Sequence, residues 1–161
     1  MAITKTNAMR RLDAAKIPYR VMEYVVDEND LSGTHIAEQI GLPYGQVFKT
    51  LVAKGDKTGP VVFCIPCDAE IDLKRAALLT GNKKIEMIHV KDLLALTGYI
   101  RGGVSPIGMK KKFPTYIDES CLSHTEITVS SGQRGAQLLL DVSALVKFTE
   151  AKPSALTVCR Q

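Results

Sequence analysis

Two adjacent glycines and three consecutive lysines lie within one short stretch of the chain, residues 97–112. Gly102 and Gly103 have no side chains, so a ligand can approach the main chain closely at this point. Main-chain amides in such a run can point together and bind an anion or a developing oxyanion. With the lysines beside it, the stretch predicts a site for a ligand with a polar reactive end and a polyanionic body. A Gly-rich turn followed by a solvated run of charge is the alternative.

Lys49 is the second candidate, because it lies in an apolar segment with strand character, residues 47–53. Alternation along a strand places Lys49 on the same face as Val47 and Leu51. A cation on an apolar face is costly unless it reaches water or an anion. The pattern therefore favours either a lysine at the mouth of a pocket, holding a phosphate or a carbonyl oxygen, or a lysine whose stem packs while its ammonium reaches solvent.

A second glycine-rich run, residues 129–135, lies between two segments with strand character. Ser130 could hydrogen-bond a ligand, and Arg134 could pair with a phosphate. The same residue types are also typical of an ordinary hairpin turn. Both interpretations stay open from this run alone.

The cysteines form two short motifs. Cys64 and Cys67 make a Cys-x-x-Cys pair, and Cys121 with His124 makes a Cys-x-x-His pair. Together these side chains could hold zinc through three sulfurs and one nitrogen. The pairs are far apart in sequence, however, and no helix follows the first pair at once to lower a thiol pKa, as redox chemistry would need. We therefore favour buried thiols of a reduced protein, and we expect no metal and no other cofactor.

Composition and length set the class of protein. The 161 residues are 45% hydrophobic and 24% charged, with a formal net charge of +4. This length predicts a single domain, residues 1–161, and the mild positive charge permits nucleic-acid binding without requiring it. No segment approaches the roughly 18 apolar residues of a membrane span, and the N-terminus lacks the layout of a signal peptide. We therefore expect a cytoplasmic protein with no membrane partner.

Helical and strand patterns alternate along the chain. Apolar spacing predicts a helix from a cap at Thr4 or Thr6 to residue 16, and further helices over 34–40, 72–80, 91–97 and 141–150. Apolar alternation predicts strands over 19–26, 47–54, 60–65, 86–89, 99–107, 115–117, 126–129, 137–140 and 155–158. Hairpins and helical connections both occur, which predicts an α+β fold with a mixed, partly barrel-like central β-sheet surrounded by helices.

Three segments, taken in order, resemble the YbaK family. They are Val-Phe-Lys-Thr-Leu around Lys49, Thr-Gly-Tyr-Ile-Arg-Gly-Gly-Val-Ser-Pro-Ile-Gly at 97–108, and Val-Ser-Ser-Gly-Gln-Arg-Gly at 129–135. The resemblance extends over nearly the whole chain. Members of this family are aminoacyl-tRNA editing deacylases, related to the editing domain that is inserted in bacterial prolyl-tRNA synthetases. The resemblance implies their mixed α+β fold with a partly closed central sheet.

The activity that the resemblance implies is cleavage of the ester bond in Cys-tRNA(Pro), which forms when prolyl-tRNA synthetase mischarges cysteine. A small apolar pocket cannot strongly reject an amino acid of similar size, so a second, editing site is needed. In the family, the cysteine thiol attacks its own ester and leaves as a cyclic thiolactone, while the protein supplies positioning and main-chain amides. The implied partners are the acceptor end of aminoacylated tRNA and prolyl-tRNA synthetase.

Individual residues take roles from the same resemblance. Lys49 and Gly102 are the implied catalytic residues, with Lys49 anchoring the terminal adenosine or its phosphate and the Gly102 main chain lying against the aminoacyl group. The implied substrate-binding residues are Tyr24, Gly103, Ser105, Pro106, Ser130 and Gln137. The basic candidates for contact with the tRNA acceptor stem are Arg101, Lys83, Lys84, Lys110, Lys111 and Lys112.

Gln137 is a departure from the family pattern, because well-known members have an aspartate at this position. Either that carboxylate is not a required acid or base here, or this chain handles its substrate somewhat differently. Two alternatives to Cys-tRNA(Pro) deacylation stay open. One is deacylation of another small amino acid, such as Ala-tRNA(Pro), and the other is a non-catalytic module that binds tRNA or a synthetase.

Overall fold

Strands and helices alternate along residues 5–158, the part of the chain that the computed structural model describes. The strands are β1 (Arg20–Glu23), β2 (Phe48–Gly55), β3 (Gly59–Pro66), β4 (Ile85–Met87), β5 (Thr115–Asp118), β6 (Glu126–Ser130), β7 (Ala136–Asp141) and β8 (Lys152–Ser154). The α-helices are α1 (Asn7–Ala14), α2 (Gly33–Ile40), α3 (Leu73–Thr80), α4 (Val90–Thr97) and α5 (Val142–Thr149). Short 3-10 turns lie at Tyr44–Gln46 and Glu119–Ser123.

The strands form two sheets that meet near the start of β2. The smaller sheet has the order β1-β7-β6 and is antiparallel. In the larger sheet, β4-β2-β3-β5-β8, strand β2 pairs antiparallel with β3 and β4, and β5 lies parallel to β3 and β8. Val47 forms a parallel bridge to Thr128 of β6. The predicted mixed α+β architecture is confirmed, and within residues 5–158 the two sheets do not close into a barrel.

The main core lies between the smaller sheet, the inner face of β2 and β3, and helices α1 and α5. Helix α1 buries Ala8, Met9 and Leu12, which the helical spacing predicted on one face. The Thr6 side chain caps this helix by accepting a hydrogen bond from the main-chain N–H of Met9 at 3.2 Å. Phe48 reaches the same core from β2, so the strand that carries Lys49 is anchored by its neighbour.

A second core lies on the other face of the larger sheet, under helix α3. Phe63 and Ile65 of β3 pack there against Ala76 and Ala77 of the helix. Strand β3 is buried on both faces. Its sequence is therefore a nearly continuous run of apolar residues and not an alternation of apolar and polar ones. Asp72 caps helix α3 by accepting from the main chain three residues later, as its position at the start of the predicted helix indicates.

The strand predicted over residues 99–107 is wrong, because these residues form an irregular loop. Gly102 adopts a φ of +86°, and the Ser105 hydroxyl accepts a hydrogen bond from the main-chain N–H of Ile107 at 3.3 Å. The Tyr99 hydroxyl donates to the Ile107 carbonyl at 2.6 Å. Tyr99, Val104 and Ile107 are nevertheless buried, so tertiary packing and not a strand explains their apolar spacing.

Among the other predicted strands, the first and the last differ most from the structure. The strand expected over 155–158 lies earlier, as β8, and Thr157 makes only an isolated bridge to Ile71. Pro153 is tolerated in β8 because this strand is at the edge of its sheet. The strand predicted over 19–26 is shortened to β1. Thr4, one of the two predicted caps of α1, lies outside the described residues.

Within residues 5–158, no helix is both long enough and apolar enough to span a membrane.

Candidate functional site

A cavity of about 580 Å³ opens where β2 meets the smaller sheet. Strand β2, the first turn of α2, helix α4, the 98–114 loop and the β6–β7 hairpin all contribute to its wall. Five of the predicted catalytic, substrate-binding and tRNA-binding residues line this cavity: Lys49, Arg101, Gly102, Ser130 and Gln137. They come from three segments that are distant in sequence. Each motif predicted its own residues, and the fold brings them to one cavity.

The junction between the two sheets explains how this happens. The bridge from Val47 to Thr128 fixes the start of β2 beside β6, two residues from Lys49. In the smaller sheet, Ser130 is directly paired with Gln137 across β6 and β7. One sheet therefore presents Lys49 to the cavity, and the other presents Ser130 and Gln137 to the same space.

The two glycine-rich runs pack against each other at the edge of the cavity. A Cβ added to Gly103 would lie 3.1 Å from the main chain of Gln133, and one added to Gly102 would lie 3.0 Å from Nε of Arg134. That Nε donates a hydrogen bond to the main-chain carbonyl of Arg101 at 2.8 Å. Position 102 therefore requires glycine, because its φ is positive and because neighbouring atoms leave little room for a side chain. Gly102 also lines the cavity.

Gln137 and Ser130 are held by neighbours within the smaller sheet. The hydroxyl of Thr128, a fully buried residue, donates to Oε1 of Gln137 at 3.2 Å. The Ser130 hydroxyl accepts from the main-chain N–H of Gly132 at 3.2 Å. Gln137 is 5% exposed and Ser130 is 7% exposed, so both side chains meet the cavity from a buried position.

The ionisable side chains that line the cavity, among the described residues, are Lys49, Arg101 and Cys67. The pKa of the Cys67 thiol is raised to about 11, chiefly by burial and also by the negative charge of Asp68, while the positive charge of Lys49 acts in the opposite direction. The thiol also donates to the main-chain carbonyl of Tyr44 at 3.4 Å. Cys67 is therefore a protonated and weakly nucleophilic group at neutral pH.

The other predicted substrate-binding residues do not line this cavity. The half-buried Tyr24 follows β1 and donates from its main-chain N–H to the carbonyl of Gly135 at 3.0 Å. Ser105 is fully buried, and Gly103 packs on the 131–135 turn. Pro106 lines a separate cavity of about 360 Å³.

The lysine run also lines the 360 Å³ cavity and not the larger one. The stem of Lys110 covers Gly98, where an added Cβ would meet it at 3.2 Å, and Lys112 forms an ion pair with Glu150. Lys83 is exposed, and Lys84 pairs with Glu86 at 2.8 Å. These exposed ion pairs contribute little to stability, so the lysines can exchange them for other anions.

The cysteines and His124 do not converge. Cys64 and Cys121 lie in the main core, where burial raises their pKa values to about 12 and about 11, whereas Cys67 faces the 580 Å³ cavity. His124 lines a different pocket. In residues 5–158 the structure brings together no group of three or more His, Cys, Asp or Glu side chains that could hold a metal ion.

Sequence reasoning missed the contribution of two helices to the cavity. The first turn of α2 contributes Ser32 and Gly33, and α4 contributes Val90 and Leu93. A signal existed at Gly33, because a glycine in a helical first turn indicates a close approach. A Cβ on Gly33 would lie 2.5 Å from Cβ of Cys67. No pattern in the sequence indicated that α4 would cover the site.

Comparison with known proteins gives consistent matches. The family model described as the aminoacyl-tRNA editing domain matches residues 32–148. A protein of Enterococcus faecalis, named as a candidate Cys-tRNA(Pro)/Cys-tRNA(Cys) deacylase (EbsC), is 50% identical over 153 residues, which are 95% of this chain and 93% of that protein. A proline–tRNA ligase of Thermosipho africanus is 26% identical over 92 residues, which are 57% of this chain and 16% of the ligase.

Among solved structures, the fold is similar to the crystal structure of a candidate trans-editing enzyme for prolyl-tRNA synthetase. The TM-score is 0.83 at 25% sequence identity, and the match covers 95% of this chain and 96% of the other. The range that the family model matches includes Lys49, Gly102, Ser130 and Gln137. The cavity therefore lies almost entirely within the matched domain.

Proposed function

The chain belongs to the aminoacyl-tRNA editing domain family, and on this premise we propose that it is a trans-editing deacylase that removes cysteine from Cys-tRNA(Pro). Deacylation of an aminoacyl-tRNA is the activity of the family, and tRNA is accordingly the substrate. The identity of the amino acid and of the tRNA is the part that we propose. It is supported by the name of the relative that is 50% identical and by the chemistry of the cavity.

One observation carries the proposal for cysteine. Among the described residues that line the cavity there is no imidazole and no carboxylate, and its one thiol has a pKa raised to about 11. The cavity thus offers no imidazole or carboxylate to activate a nucleophile, and the Ser130 hydroxyl takes its hydrogen bond from the main-chain N–H of Gly132 and not from Lys49. A substrate that carries its own nucleophile needs no such pair. Cysteine has a thiol at the right distance from its own ester carbonyl, and alanine has none.

The proposed reaction is an intramolecular displacement. The cysteine sulfur bonds to the carbonyl carbon, the bond from that carbon to the ribose oxygen breaks, and the thiol proton ends on the ribose oxygen. The products are tRNA with a free hydroxyl and a four-membered thiolactone, which water then opens to cysteine. The cavity accelerates the reaction by holding the ester and the thiol together and by solvating the oxyanion with fixed donors.

We assign the catalytic roles to Lys49 and Gly102. The ammonium of Lys49 anchors the terminal adenosine or its phosphate from within the cavity, and the main chain at Gly102 lies against the aminoacyl group. Ser130 and Gln137 are proposed to line the pocket for the amino acid. Tyr24, Gly103, Ser105 and Pro106 are proposed to shape the surrounding wall.

The rest of the tRNA is proposed to lie along basic surface residues. Arg101, Lys110, Lys111 and Lys112 are the candidates for contact with the acceptor stem, through phosphate contacts that weaken with salt. Such contacts carry little sequence information, so selection of tRNA(Pro) requires a partner. We propose prolyl-tRNA synthetase as that partner and the cytoplasm, where tRNA is charged, as the compartment.

The test is deacylation of Cys-tRNA(Pro) and Ala-tRNA(Pro) side by side, with and without prolyl-tRNA synthetase. We expect fast loss of cysteine, retention of alanine, and release of a thiolactone that can be trapped before water opens it. Fast loss of alanine would contradict the thiol-assisted mechanism and would require an activated water. No loss of either amino acid would favour a module that binds tRNA or a synthetase without turnover.

A further inference from the structure

Two arginines lie close together where the 98–114 loop meets the β6–β7 turn, and Arg101 lines the 580 Å³ cavity there. Arg101 lines the cavity and is exposed, and Arg134 donates from Nε to the Arg101 carbonyl at 2.8 Å. The absence of side chains at Gly102 and Gly103 lets the loop and the hairpin turn approach closely enough for this contact. The fold therefore anchors the Arg134 side chain against the main chain of Arg101.

Neither arginine has a neutralising partner among the described residues. The ion pairs of residues 5–158 involve Lys5, His35, Lys84 and Lys112, and none involves Arg101 or Arg134. The hydrogen bond of Arg134 uses Nε, which leaves both terminal amino groups of its guanidinium available. Two neighbouring guanidinium groups, of which that of Arg134 is already held in position, can bind an oxyanion such as phosphate.

We propose that Arg101 and Arg134 together bind the phosphodiester backbone of the CCA end of tRNA as it leaves the cavity. This rests on the proposed function, in which the terminal adenosine lies inside the cavity with Lys49. The phosphodiesters that precede that adenosine must pass out of the cavity, whose wall includes Arg101, with Arg134 bonded to the Arg101 carbonyl. The lysine run is a weaker candidate for this contact, because Lys110 and Lys112 line a different cavity.

Binding of the trinucleotide CCA, which contains phosphodiesters, is compared with binding of adenosine, which contains none. We expect Arg101→Gln and Arg134→Gln each to weaken CCA binding about tenfold, because each removes a charge-assisted contact to phosphate. Each variant also lowers the slope of log affinity against log salt by about 0.7 for each lost phosphate contact. Adenosine binding stays unchanged. Lys57→Gln removes one exposed positive charge from the distant β2–β3 turn and is the matched control, with unchanged CCA affinity.

Arg134→Lys tests whether weaker binding comes from a lost phosphate contact or from a disturbed fold. This variant keeps the positive charge and most of the aliphatic part of the side chain that packs over Gly102. We expect it to retain the salt slope of the wild type while binding CCA less tightly, with an unchanged urea unfolding midpoint. Equal weakening of CCA and adenosine by Arg134→Gln would assign Arg134 a structural role and overturn the proposal. Unchanged CCA binding in both glutamine variants would overturn it as well.

The same measurements separate this proposal from the proposed function. If the wild type cleaves Cys-tRNA(Pro) but the glutamine variants bind CCA normally, the function stands and the arginine site does not. If the wild type cleaves no aminoacyl-tRNA, but its CCA affinity and salt slope depend on both arginines, the arginine site stands and the function does not.

Discussion

The hydroxyl of Thr128 donates a hydrogen bond to Oε1 of Gln137, from β6 to the neighbouring strand β7 of the smaller sheet, at 3.2 Å. Thr128 is also the residue to which Val47 is bridged at the start of β2. One buried threonine therefore links the junction between the sheets to a side chain that lines the cavity. The orientation of the Gln137 side chain in the cavity therefore depends on the residue at which the two sheets are joined.

Replacing Thr128 by valine tests this link. Thr128→Val keeps the shape of the side chain but leaves Oε1 of Gln137 without its donor, which costs about 1–3 kcal/mol of unfolding free energy. We expect kcat/KM for Cys-tRNA(Pro) to fall, because the amide of Gln137 is no longer held in one orientation. Urea unfolding and deacylation kinetics measure the two effects.

The matched control is Thr115→Val, which removes another buried hydroxyl, bonded to the carbonyl of Phe113 at 3.0 Å and outside the 580 Å³ cavity. It should lose comparable stability and retain activity. If the Thr128→Val variant is less stable but cleaves Cys-tRNA(Pro) at the wild-type rate, deacylation does not depend on the orientation of the Gln137 amide.

Lys49→Met tests the proposed catalytic lysine while retaining most of its stem. We expect kcat/KM to fall by about 10- to 10²-fold, since the loss of a hydrogen bond from a charged donor to the substrate costs about 1.5–3 kcal/mol. Stability should change little, because the half-buried ammonium has no ion-pair partner among the described residues. Lys54→Met, on the same strand but exposed, should leave the rate unchanged. Normal editing by Lys49→Met would remove Lys49 from the site.

Gly102→Ala tests the close packing of the two glycine-rich runs. Any side chain at a φ of +86° is strained, by about 1 kcal/mol or more, and here the added Cβ would also lie 3.0 Å from Nε of Arg134. Gly59→Ala is a control with a φ of +74° and no atom within 4 Å of the added Cβ. We expect the strain to appear in both variants and the loss of deacylation in Gly102→Ala alone. Comparable activity in the two variants would show that the cavity tolerates a displaced loop.

The alkylation of Cys67 as a function of pH reports on the electrostatic influence of Lys49 on this thiol. We expect half-maximal reactivity with iodoacetamide near pH 11, compared with about 9 for an ordinary cysteine, as followed by peptide mass spectrometry. Because the positive charge of Lys49 lowers this pKa, Lys49→Met should move the midpoint upward. A midpoint unchanged by Lys49→Met would mean that the ammonium does not face Cys67.

The same raised pKa contributes to the dependence of stability on pH, as do the raised pKa values of Cys64 and Cys121. The folded chain holds the Cys67 proton more tightly than the unfolded chain does, so this stability is complete below about pH 9 and is lost as the pH rises through about 11. Cys67→Ala should therefore flatten the decrease in unfolding free energy over this interval. An equally steep decrease in Cys67→Ala would assign the effect to other groups.

Asn82 supplies a prediction about the fold alone. Its Oδ1 accepts from the main-chain N–H groups of Lys57 and Thr58 at 2.8 and 3.0 Å, and its Nδ2 donates to the hydroxyls of Thr58 and Thr80. Asn82→Ala leaves these groups unpaired, and we expect it to cost about 2–3 kcal/mol in urea unfolding with activity retained. Asn82→Asp keeps the acceptor and should cost less. Equal costs would mean that the Nδ2 contacts dominate.

Much of the local structure could be predicted from the sequence. The caps Thr6, Asp72 and Asp141 and the hairpin around residues 55–59 are local features, because a cap or a turn depends on residues within a few positions. The 99–107 segment could not be assigned in this way. Its apolar residues are buried by contacts with distant elements, and the local alternation resembles that of a strand.

The sequence by itself determined the α+β class, the order of most elements and the family to which the motifs point, since these follow from local periodicity and from residue types in order. Only the tertiary structure decided which motif residues share one cavity. Lys49 and Gln137 line one cavity because Val47 pairs with Thr128, and Gly102 lines it because its loop packs on the turn at Gln133 and Arg134. Both are long-range contacts that no local pattern specifies. For the same reason, only the fold separated Lys110, Lys111 and Lys112 from that cavity.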